Sequence, residues 1–193
     1  MISDIQKPVD SNFNSQSSAD KIIKDVNLKK NISIVTGGYS GIGLETTKAL
    51  VKAGANVIIP AKRPELAIKN LEGIVSKENI ISMDLGNLNS IKSFTDAFIE
   101  KHNRLDILIN NAGIMACPET RIGSNWESQF AINHIGHFFL TKKLMNLMAN
   151  TENARFVSLS SSAHSLTGIL WDDIHFQNTP YDKWIAYGQS KTA

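Results

Sequence analysis

The sequence has little of several features that mark particular classes of protein. It has one cysteine, Cys117, which excludes an internal disulfide bond and a cluster of thiol ligands for zinc. No apolar run approaches the roughly 18 residues of a membrane-spanning helix, and the first 20 residues contain no hydrophobic signal core. Its 20 basic and 18 acidic residues give no electrostatic case for binding nucleic acid or a membrane surface. These absences predict a cytoplasmic location.

Length and composition indicate one globular domain. The chain has 193 residues, of which 42% are apolar and 20% charged, the usual balance of a folded protein. Residues 1–18 are rich in Ser, Asn, Gln and Asp without an apolar period, which predicts a flexible N-terminal arm. The folded domain is predicted over residues 19–193, starting with a short helix in "SADKIIKDVNL".

Strand-like and helix-like segments alternate along this domain. Five short runs rich in Ile and Val predict strands: "NISIVT", "NVIIP", "NIISMD", "LDILIN" and "ARFVSLS". The segments between them predict helices, including a long helix from Ser124 to Met148, and a last helix begins near Lys183 or Trp184. Continuous apolar strands are typical of a parallel sheet covered on both faces. The pattern predicts an α/β fold of the Rossmann type, a doubly wound parallel sheet in three αβα layers.

A glycine-rich turn, "TGGYSGIG", joins the first strand to its helix. Gly37 would let the chain turn off the strand, Gly41 would leave space for a pyrophosphate, and Gly43 would allow close packing of the helix. The N-terminus of that helix offers free N–H groups and a positive dipole end. The position of the turn between strand and helix predicts a dinucleotide-binding site.

The end of the second strand bears on the choice of cofactor. Sites for NAD usually carry an acidic residue there, whereas "IIPAKRPE" has Lys62 and Arg63. Cationic side chains suit a 2′-phosphate, which favours NADP(H) over NAD(H). The alternative is that both are solvated cations of a loop.

Near the end of the chain, "YGQSK" places Tyr187 and Lys191 four residues apart. On a helix the two side chains share a face, and an ammonium group there favours the ionised phenol. The pair is then a proton donor and acceptor for chemistry near neutral pH. On its own it is weak evidence, because such pairs also occur on solvated helices.

Six motifs in this order carry a resemblance to a known family: "TGGYSGIG", "MDL", "NNAG", "FAINHIG", "VSLSSSAH" and "YGQSK". Over residues 19–193 the chain resembles the short-chain dehydrogenases/reductases, and most closely the branch of retinol dehydrogenases and WW-domain oxidoreductases. The resemblance implies a sheet with strand order 3-2-1-4-5. It also implies that the last strands of the family fold are missing, so that the chain is truncated at its C-terminus and lacks most of its substrate specificity.

The resemblance implies four catalytic residues. Tyr187 would be the general acid in carbonyl reduction and the base in alcohol oxidation, and Lys191 would lower its pKa and hold the nicotinamide ribose. Ser161 would hydrogen-bond the substrate oxygen, with its two serine neighbours in "SLSSSAH" as alternatives. Asn133 would hold a water molecule that links Lys191 to solvent, or would simply bond a backbone carbonyl as a helical asparagine.

The resemblance also implies a set of cofactor contacts. Asp84 would bond the adenine amino group, Leu85 would lie beside the ring, and Asn111 would tie neighbouring strands together. The expected cofactor-binding residues are Gly37, Tyr39, Ser40, Gly41, Ile42, Gly43, Lys62, Arg63, Asp84, Leu85, Asn110, Ala112, Gly113, Tyr187 and Lys191.

Two further groups of residues have open interpretations. Ser161 and Tyr187 are 26 positions apart, and the long insertion brings three aromatic residues near the cleft, which either line an apolar substrate pocket or fasten the loop to the sheet: Trp171, Phe176 and Trp184. Three histidines, His134, His137 and His164, are read as packing or solvated side chains, and no metal is expected.

The sequence therefore predicts an NADP-dependent oxidoreductase that transfers hydride between nicotinamide and a small carbonyl or alcohol substrate. The alternatives are a dinucleotide-binding protein without catalysis and an inactive fragment of a longer reductase. In this family the long helix and the Tyr187 helix often pair subunits, which makes a homodimer an expectation.

Overall fold

The computed structural model describes residues 11–193. Residues 1–10 of the predicted N-terminal arm lie outside this range. Residues 11–18 contain turns but no helix or strand, and Ser18 caps the first helix by accepting a hydrogen bond from the N–H of Lys21 at 3.3 Å.

A five-stranded parallel sheet forms the centre of the fold. The strands of the chain are β1 (Ile32–Val35), β2 (Asn56–Ala61), β3 (Ile80–Ser82), β4 (Ile107–Asn110), β5 (Arg121–Ile122), β6 (Trp126–Glu127) and β7 (Arg155–Ser158). The helices are α1 (Ala19–Ile23), α2 (Gly41–Lys52), α3 (Pro64–Asn70), α4 (Leu88–Lys101), α5 (Ser128–Phe130), α6 (His137–Ala149) and α7 (Lys183–Thr192). The sheet order is β3-β2-β1-β4-β7, with β5 and β6 as a separate antiparallel hairpin. Since β7 is the fifth predicted strand, the predicted order is confirmed.

Successive residues of the strands feed two cores on opposite faces of the sheet. Ile34 and Ile58 pack with apolar residues of α4 and α6, whereas Val35, Val57 and Ile59 pack with residues of α2 and α3. Both faces are therefore covered by helices, as the continuous apolar strands predict. The three-layer αβα arrangement is confirmed.

The predicted long helix from Ser124 to Met148 is wrong at its beginning. Residues 121–127 form the β5–β6 hairpin, whose turn contains Gly123 at φ +55° and Asn125 at φ +64°, a left-handed conformation that ends helical structure. The helix begins at Ser128, where the Glu127 carboxylate accepts hydrogen bonds from the N–H groups of Gln129 and Phe130. It is then interrupted by a π-helical turn, Ala131–Gly136, before α6.

The last strand in the sheet order, β7, pairs with β4 on one side. All four of its residues are exposed, and Phe156 and Val157 keep 48% and 44% of their accessible surface. Within residues 11–193, none of the helices combines the length and apolar character needed to cross a lipid bilayer.

Candidate active site

A cavity of about 750 Å³ lies at the carboxyl edge of the sheet, where the loops after β1, β2, β3 and β4 meet α7. Parallel sheets of this type bind ligands at that edge. Most of the predicted cofactor residues line the cavity: Gly37, Tyr39, Ser40, Ile42, Gly43, Lys62, Arg63, Asp84, Leu85, Ala112, Gly113, Tyr187 and Lys191. Gly41 is outside this lining, and Asn110 lines a neighbouring cavity of about 410 Å³ instead.

The glycine-rich turn has the conformation that its glycines allow. Gly37 and Gly41 adopt φ values of +66° and +52°, which side chains other than hydrogen disfavour. A Cβ atom on Gly41 would have no neighbour within 4 Å, so the space around it is open. A Cβ atom on Gly43 would lie 2.4 Å from the carbonyl oxygen of Gly37 and 2.4 Å from Nδ2 of Asn111. Gly43 thus permits close packing of α2 on the turn.

Thr36, at the start of this turn, has a role that the sequence did not suggest. Its side chain is 1% exposed, and its Oγ1 accepts hydrogen bonds from the N–H groups of Asn111 at 2.9 Å and Ala112 at 3.0 Å. The Nδ2 of Asn111 in turn donates to the Thr36 carbonyl at 2.9 Å. The ends of β1 and β4 are therefore tied together by side chains, as expected for Asn111.

The two cationic residues after β2 both line the cavity but differ in their ion pairing. Lys62 forms an ion pair with Asp84, with 3.0 Å between Nζ and Oδ2, and the other oxygen of Asp84 accepts the N–H of Gly86 at 2.9 Å. Arg63 is exposed, precedes α3, and has no ion pair with the residues of the described range. Of these two lining residues, Arg63 is therefore the one without a carboxylate partner among residues 11–193.

Helix α7 brings Tyr187 and Lys191 to the cavity. It begins at Lys183 because the Asp182 carboxylate accepts the N–H groups of Trp184 and Ile185, both at 2.8 Å. Tyr187 is 9% exposed, and Nζ of Lys191 lies 6.0 Å from the centre of its ring.

The ammonium group of Lys191 has a defined position in this cavity. It donates to the Leu159 carbonyl at 3.1 Å, and burial lowers its pKa below the ordinary value. The two residues thus share one face of the helix and one cavity, as the spacing predicts.

Asn133 lies in the π-helical turn, and its side chain joins two other segments. Its Oδ1 accepts the N–H of Ile114 at 2.9 Å, while Nδ2 donates to the Ile114 carbonyl and to Oγ of Ser190, each at 2.9 Å. Asn133 therefore connects the loop after β4 to the helix of Tyr187 and Lys191. Both Asn133 and Lys191 line the neighbouring cavity, and the water molecule between them remains a prediction.

The serines after β7 are placed differently from one another. Ser160 lines the large cavity, and its hydroxyl donates to the Lys191 carbonyl at 3.2 Å. Ser161 does not line this cavity, and its Oγ accepts the N–H of Ala163 at 3.2 Å, which caps a 3₁₀ turn over Ser162–Ser165. The predicted Ser161 is thus next to the cavity residue rather than in its wall.

The insertion before α7 packs against the β5–β6 hairpin. Phe176 is 6% exposed and meets Tyr181 edge to face, with 5.3 Å between ring centres, and the Arg121 guanidinium donates to the Phe176 carbonyl at 2.8 Å. Trp171 and Trp184 keep 75% and 46% of their surface, and none of the three aromatic residues lines the large cavity. Of the two interpretations given for Phe176, the structure favours packing that fastens the loop, here to the β5–β6 hairpin.

Tyr181 is the polar centre of this packing. Its hydroxyl donates to the Cys117 carbonyl at 3.0 Å and accepts from Nε2 of Gln129 at 2.9 Å. Burial raises the pKa of Tyr181 to about 12. Gln129, fully buried, also accepts the N–H of Ala116 at 2.8 Å, so one side chain links the insertion to the loop that borders the cavity.

The three histidines of the interpretation above have separate surroundings. His134 stacks on Phe138 and meets Phe130 at a tilted angle, and burial lowers its pKa. His164 contacts the Ser161 carbonyl through Nδ1 at 2.6 Å. His137 is 5% exposed and bonds Thr36 and Asn133, a connection that sequence reasoning missed because the partners are 101 and 4 positions away.

Comparison with known proteins gives consistent matches. A family model described as short chain dehydrogenase matches residues 31–172. A probable oxidoreductase of Streptomyces antibioticus is 42% identical over 83% of this chain and 55% of its own length, and human retinol dehydrogenase 13 is 39% identical over 83% and 50%. The chain spans about half the length of these relatives. The structure of the Pseudomonas aeruginosa RhlG/NADP active-site complex superposes with a TM-score of 0.66 and 28% identity, over 86% of this chain and 64% of that one.

Proposed function

The chain belongs to the short-chain dehydrogenase family, and on this premise we propose that it is part of an NADP-dependent oxidoreductase that interconverts a carbonyl and an alcohol. The observation that carries the proposal is that Tyr187 and Lys191 line the same cavity as the glycine-rich turn. A proton donor and a dinucleotide site in one cavity are what hydride transfer to a carbonyl requires.

The residues of the cavity fit a nicotinamide dinucleotide. The N-terminus of α2, where Ser40, Ile42 and Gly43 line the cavity, suits a pyrophosphate, because the first N–H groups of a helix lack partners within the helix. A Cβ atom on Gly113 would lie 3.7 Å from Nζ of Lys191, so the loop after β4 passes close to this ammonium group. The cofactor would supply the hydride, and the protein would orient both reactants.

Each catalytic side chain has one task in this proposal. Tyr187 gives its phenolic proton to the carbonyl oxygen as the hydride arrives, and takes a proton from the alcohol in the reverse direction. Lys191 lines the same cavity, with its Nζ 6.0 Å from the centre of the Tyr187 ring, and would hold the nicotinamide ribose hydroxyls. Asn133 holds α7 against the loop after β4 through Ser190 and Ile114, which fixes the distance between these groups.

The hydroxyl that polarises the substrate carbonyl is proposed to be Ser161, on the resemblance of "SLSSSAH" to the family motif. Ser160 is the second candidate, because it lines the cavity. Alanine at each position separates them. We expect Ser161→Ala to lower kcat by roughly 100-fold, within the usual range for such donors, and Ser160→Ala to leave kcat within about threefold. The reverse result would assign the role to Ser160.

The preference for NADP is proposed from Arg63, which lines the cavity and has no carboxylate partner in the described range. A forked, charge-assisted contact suits a 2′-phosphate. The NADP complex of the Pseudomonas aeruginosa relative supports this choice as a likeness. Lys62 would join the contact after leaving Asp84, which would then face the adenine.

The test follows NADPH absorbance with a panel of aldehydes and ketones. We expect Tyr187→Phe to reduce turnover by about 100- to 10,000-fold, the usual contribution of a general acid. Tyr181→Phe is the matched control, because it removes a phenolic hydroxyl outside the cavity. Equal turnover of the wild type and Tyr187→Phe would contradict the mechanism.

The same assay separates the other candidate function, a dinucleotide-binding protein without catalysis. That protein would bind NADPH in a fluorescence titration but would turn over none of the substrates. The cytoplasmic location and the homodimer are proposals as well, which cell fractionation and sedimentation velocity would test. The chemical identity of the substrate would come from the panel.

A further inference from the structure

The buried imidazole of His137, which the proposed reaction does not use, lies in a line of hydrogen bonds. Its Nδ1 is 2.9 Å from the carbonyl oxygen of Asn133, and its Nε2 is 2.9 Å from Oγ1 of Thr36. A carbonyl oxygen only accepts, so Nδ1 must carry the hydrogen. In a neutral imidazole Nε2 is then the acceptor, and Thr36 donates its hydroxyl proton to it.

The hydroxyl of Thr36 supports the same assignment from its own side. Its oxygen already accepts two backbone N–H groups, from Asn111 and Ala112, which occupy both lone pairs. Its one proton has two acceptors within reach, Nε2 of His137 at 2.9 Å and the Ile109 carbonyl at 3.4 Å. The shorter distance favours the imidazole. Every donor and acceptor in the line therefore has a defined direction.

The line ends at the helix that carries the proposed acid. The side chain of Asn133 donates to Oγ of Ser190 at 2.9 Å, and that hydroxyl donates to the carbonyl of Tyr187 at 2.7 Å. Hydrogen bonds through Thr36, His137, Asn133 and Ser190 connect the glycine-rich turn to α7, with the backbone carbonyl of Asn133 as the partner of His137. The two halves of the candidate site are otherwise on separate segments of the chain.

We propose that His137 is a positioning residue, held as the neutral Nδ1–H tautomer, which braces the π-helical turn of Asn133 against Thr36 and so sets the helix of Tyr187 and Lys191 relative to the glycine-rich turn. The kinetic part of this inference rests on the proposed function. The tautomer and the brace do not.

The surroundings of His137 keep its imidazole neutral. Burial lowers its pKa to about 4, while the bond to the Asn133 carbonyl opposes this shift. The positive charge of Lys191 on α7, and the cationic form of His134 on the preceding turn, act in the same direction as burial. A second ring N–H would also point at the oxygen of Thr36, whose lone pairs are both occupied. A charged His137 would therefore break the line.

Nuclear magnetic resonance of the histidine-labelled wild-type protein tests the tautomer without a cofactor or substrate. Long-range ¹H–¹⁵N correlations distinguish the two neutral tautomers and the cation, and the signal of His137 is assigned by its loss in His137→Gln. We expect the Nδ1–H tautomer, unchanged between about pH 6 and pH 8, where a free imidazole titrates. An Nε2–H tautomer, or titration near the ordinary value, would overturn the proposal.

A double-mutant cycle tests the positioning role. His137→Phe removes the acceptor of the Thr36 proton, whereas Thr36→Val removes its donor together with the acceptor of the Asn111 and Ala112 N–H groups. His102→Phe is the control, because it replaces a partly buried imidazole that packs on Phe98 outside both cavities. We expect His137→Phe to lower kcat about tenfold, one good hydrogen bond, with KM for the carbonyl nearly unchanged. Thr36→Val should lower kcat by at least as much, because Asn111 and Ala112 also lose their acceptor. The double variant should lose no more than the worse single one.

The other outcomes also decide. Additive losses in the double variant, or a lower unfolding midpoint with unchanged kcat, would leave His137 a packing residue and overturn the proposal. If the wild type has no turnover, the proposed function fails separately, and the resonance experiment decides the question of His137.

Discussion

Replacement of Gly43 by alanine sets two effects of opposite sign against each other. Gly43 is the third residue of α2, where alanine is favoured over glycine by about 1 kcal/mol of helix propensity. Its Cβ atom, however, would lie 2.4 Å from the Gly37 carbonyl oxygen and 2.4 Å from Nδ2 of Asn111. One of these neighbours is backbone, and the other holds the Thr36 carbonyl, so neither can move without losing a contact.

The magnitudes decide the direction. Forcing an extra methyl group into a packed site usually costs about 1–3 kcal/mol, more than the gain in helix propensity. Because one of the two contacts is to backbone, we expect a cost in the upper part of this range, about 2–3 kcal/mol. After the gain of about 1 kcal/mol in helix propensity, Gly43→Ala should lower the free energy of unfolding by about 1–2 kcal/mol. It should also weaken NADPH binding, because α2 must move away from the turn that is proposed to hold the phosphates.

Urea unfolding and NADPH fluorescence titration measure the two effects. Gly168→Ala is the matched control, since a Cβ atom there has no neighbour within 4 Å and the residue has no positive φ. It should leave both quantities unchanged. A Gly43→Ala protein that is as stable as the wild type or more stable would refute the reasoning, because helix propensity would then have outweighed the contact.

Three further predictions concern the cofactor, a surface loop and the insertion. Arg63→Ala should reduce the preference for NADPH over NADH by at least about tenfold in fluorescence titrations, while Lys48→Ala, a cation paired with Glu45 on α2, should not change it. Hydrogen bonds from the backbone N–H groups of Gln177 and Asn178 lower the pKa of Asp173 to about 2. Its contribution to stability is therefore present above its ordinary pKa and lost as the pH falls towards 2, so the difference in melting temperature between wild type and Asp173→Asn should be largest at neutral pH and shrink below about pH 4. Phe176→Ala should lower the free energy of unfolding by about 3 kcal/mol without changing NADPH affinity, and a changed affinity at full stability would place the ring at the cofactor.

The positions of the strands follow from the sequence because their information is local, whereas their order in the sheet is implied by the family resemblance. Runs such as "NVIIP" are apolar on successive residues, and only a sheet covered on both faces buries such a run. The glycine-rich turn can also be predicted from the sequence, because a Cβ atom on Gly37 or Gly43 would lie too close to neighbouring backbone atoms. Capping residues also mark helix starts well, as Asp182 does for α7.

The parts that sequence reasoning missed depend on contacts between distant segments. The β5–β6 hairpin has two residues in each strand, too few for an alternating pattern, and its turn relies on Asn125 in a left-handed conformation. The bond between Thr36 and His137 joins residues 101 positions apart. The order of the serines in the sequence does not give the direction of each hydroxyl. Ser160 therefore lines the cavity, whereas the expected Ser161 caps the following turn.

The outer strand β7 affects how the protein behaves at high concentration. Arg155 is its only charged residue. Phe156 and Val157 are exposed apolar side chains next to backbone groups that can pair with another strand. An exposed edge strand of this kind promotes aggregation, because a second molecule can add a strand to the sheet. We therefore expect turbidity to rise with protein concentration at constant temperature, and a lysine at Val157 to keep concentrated samples clear.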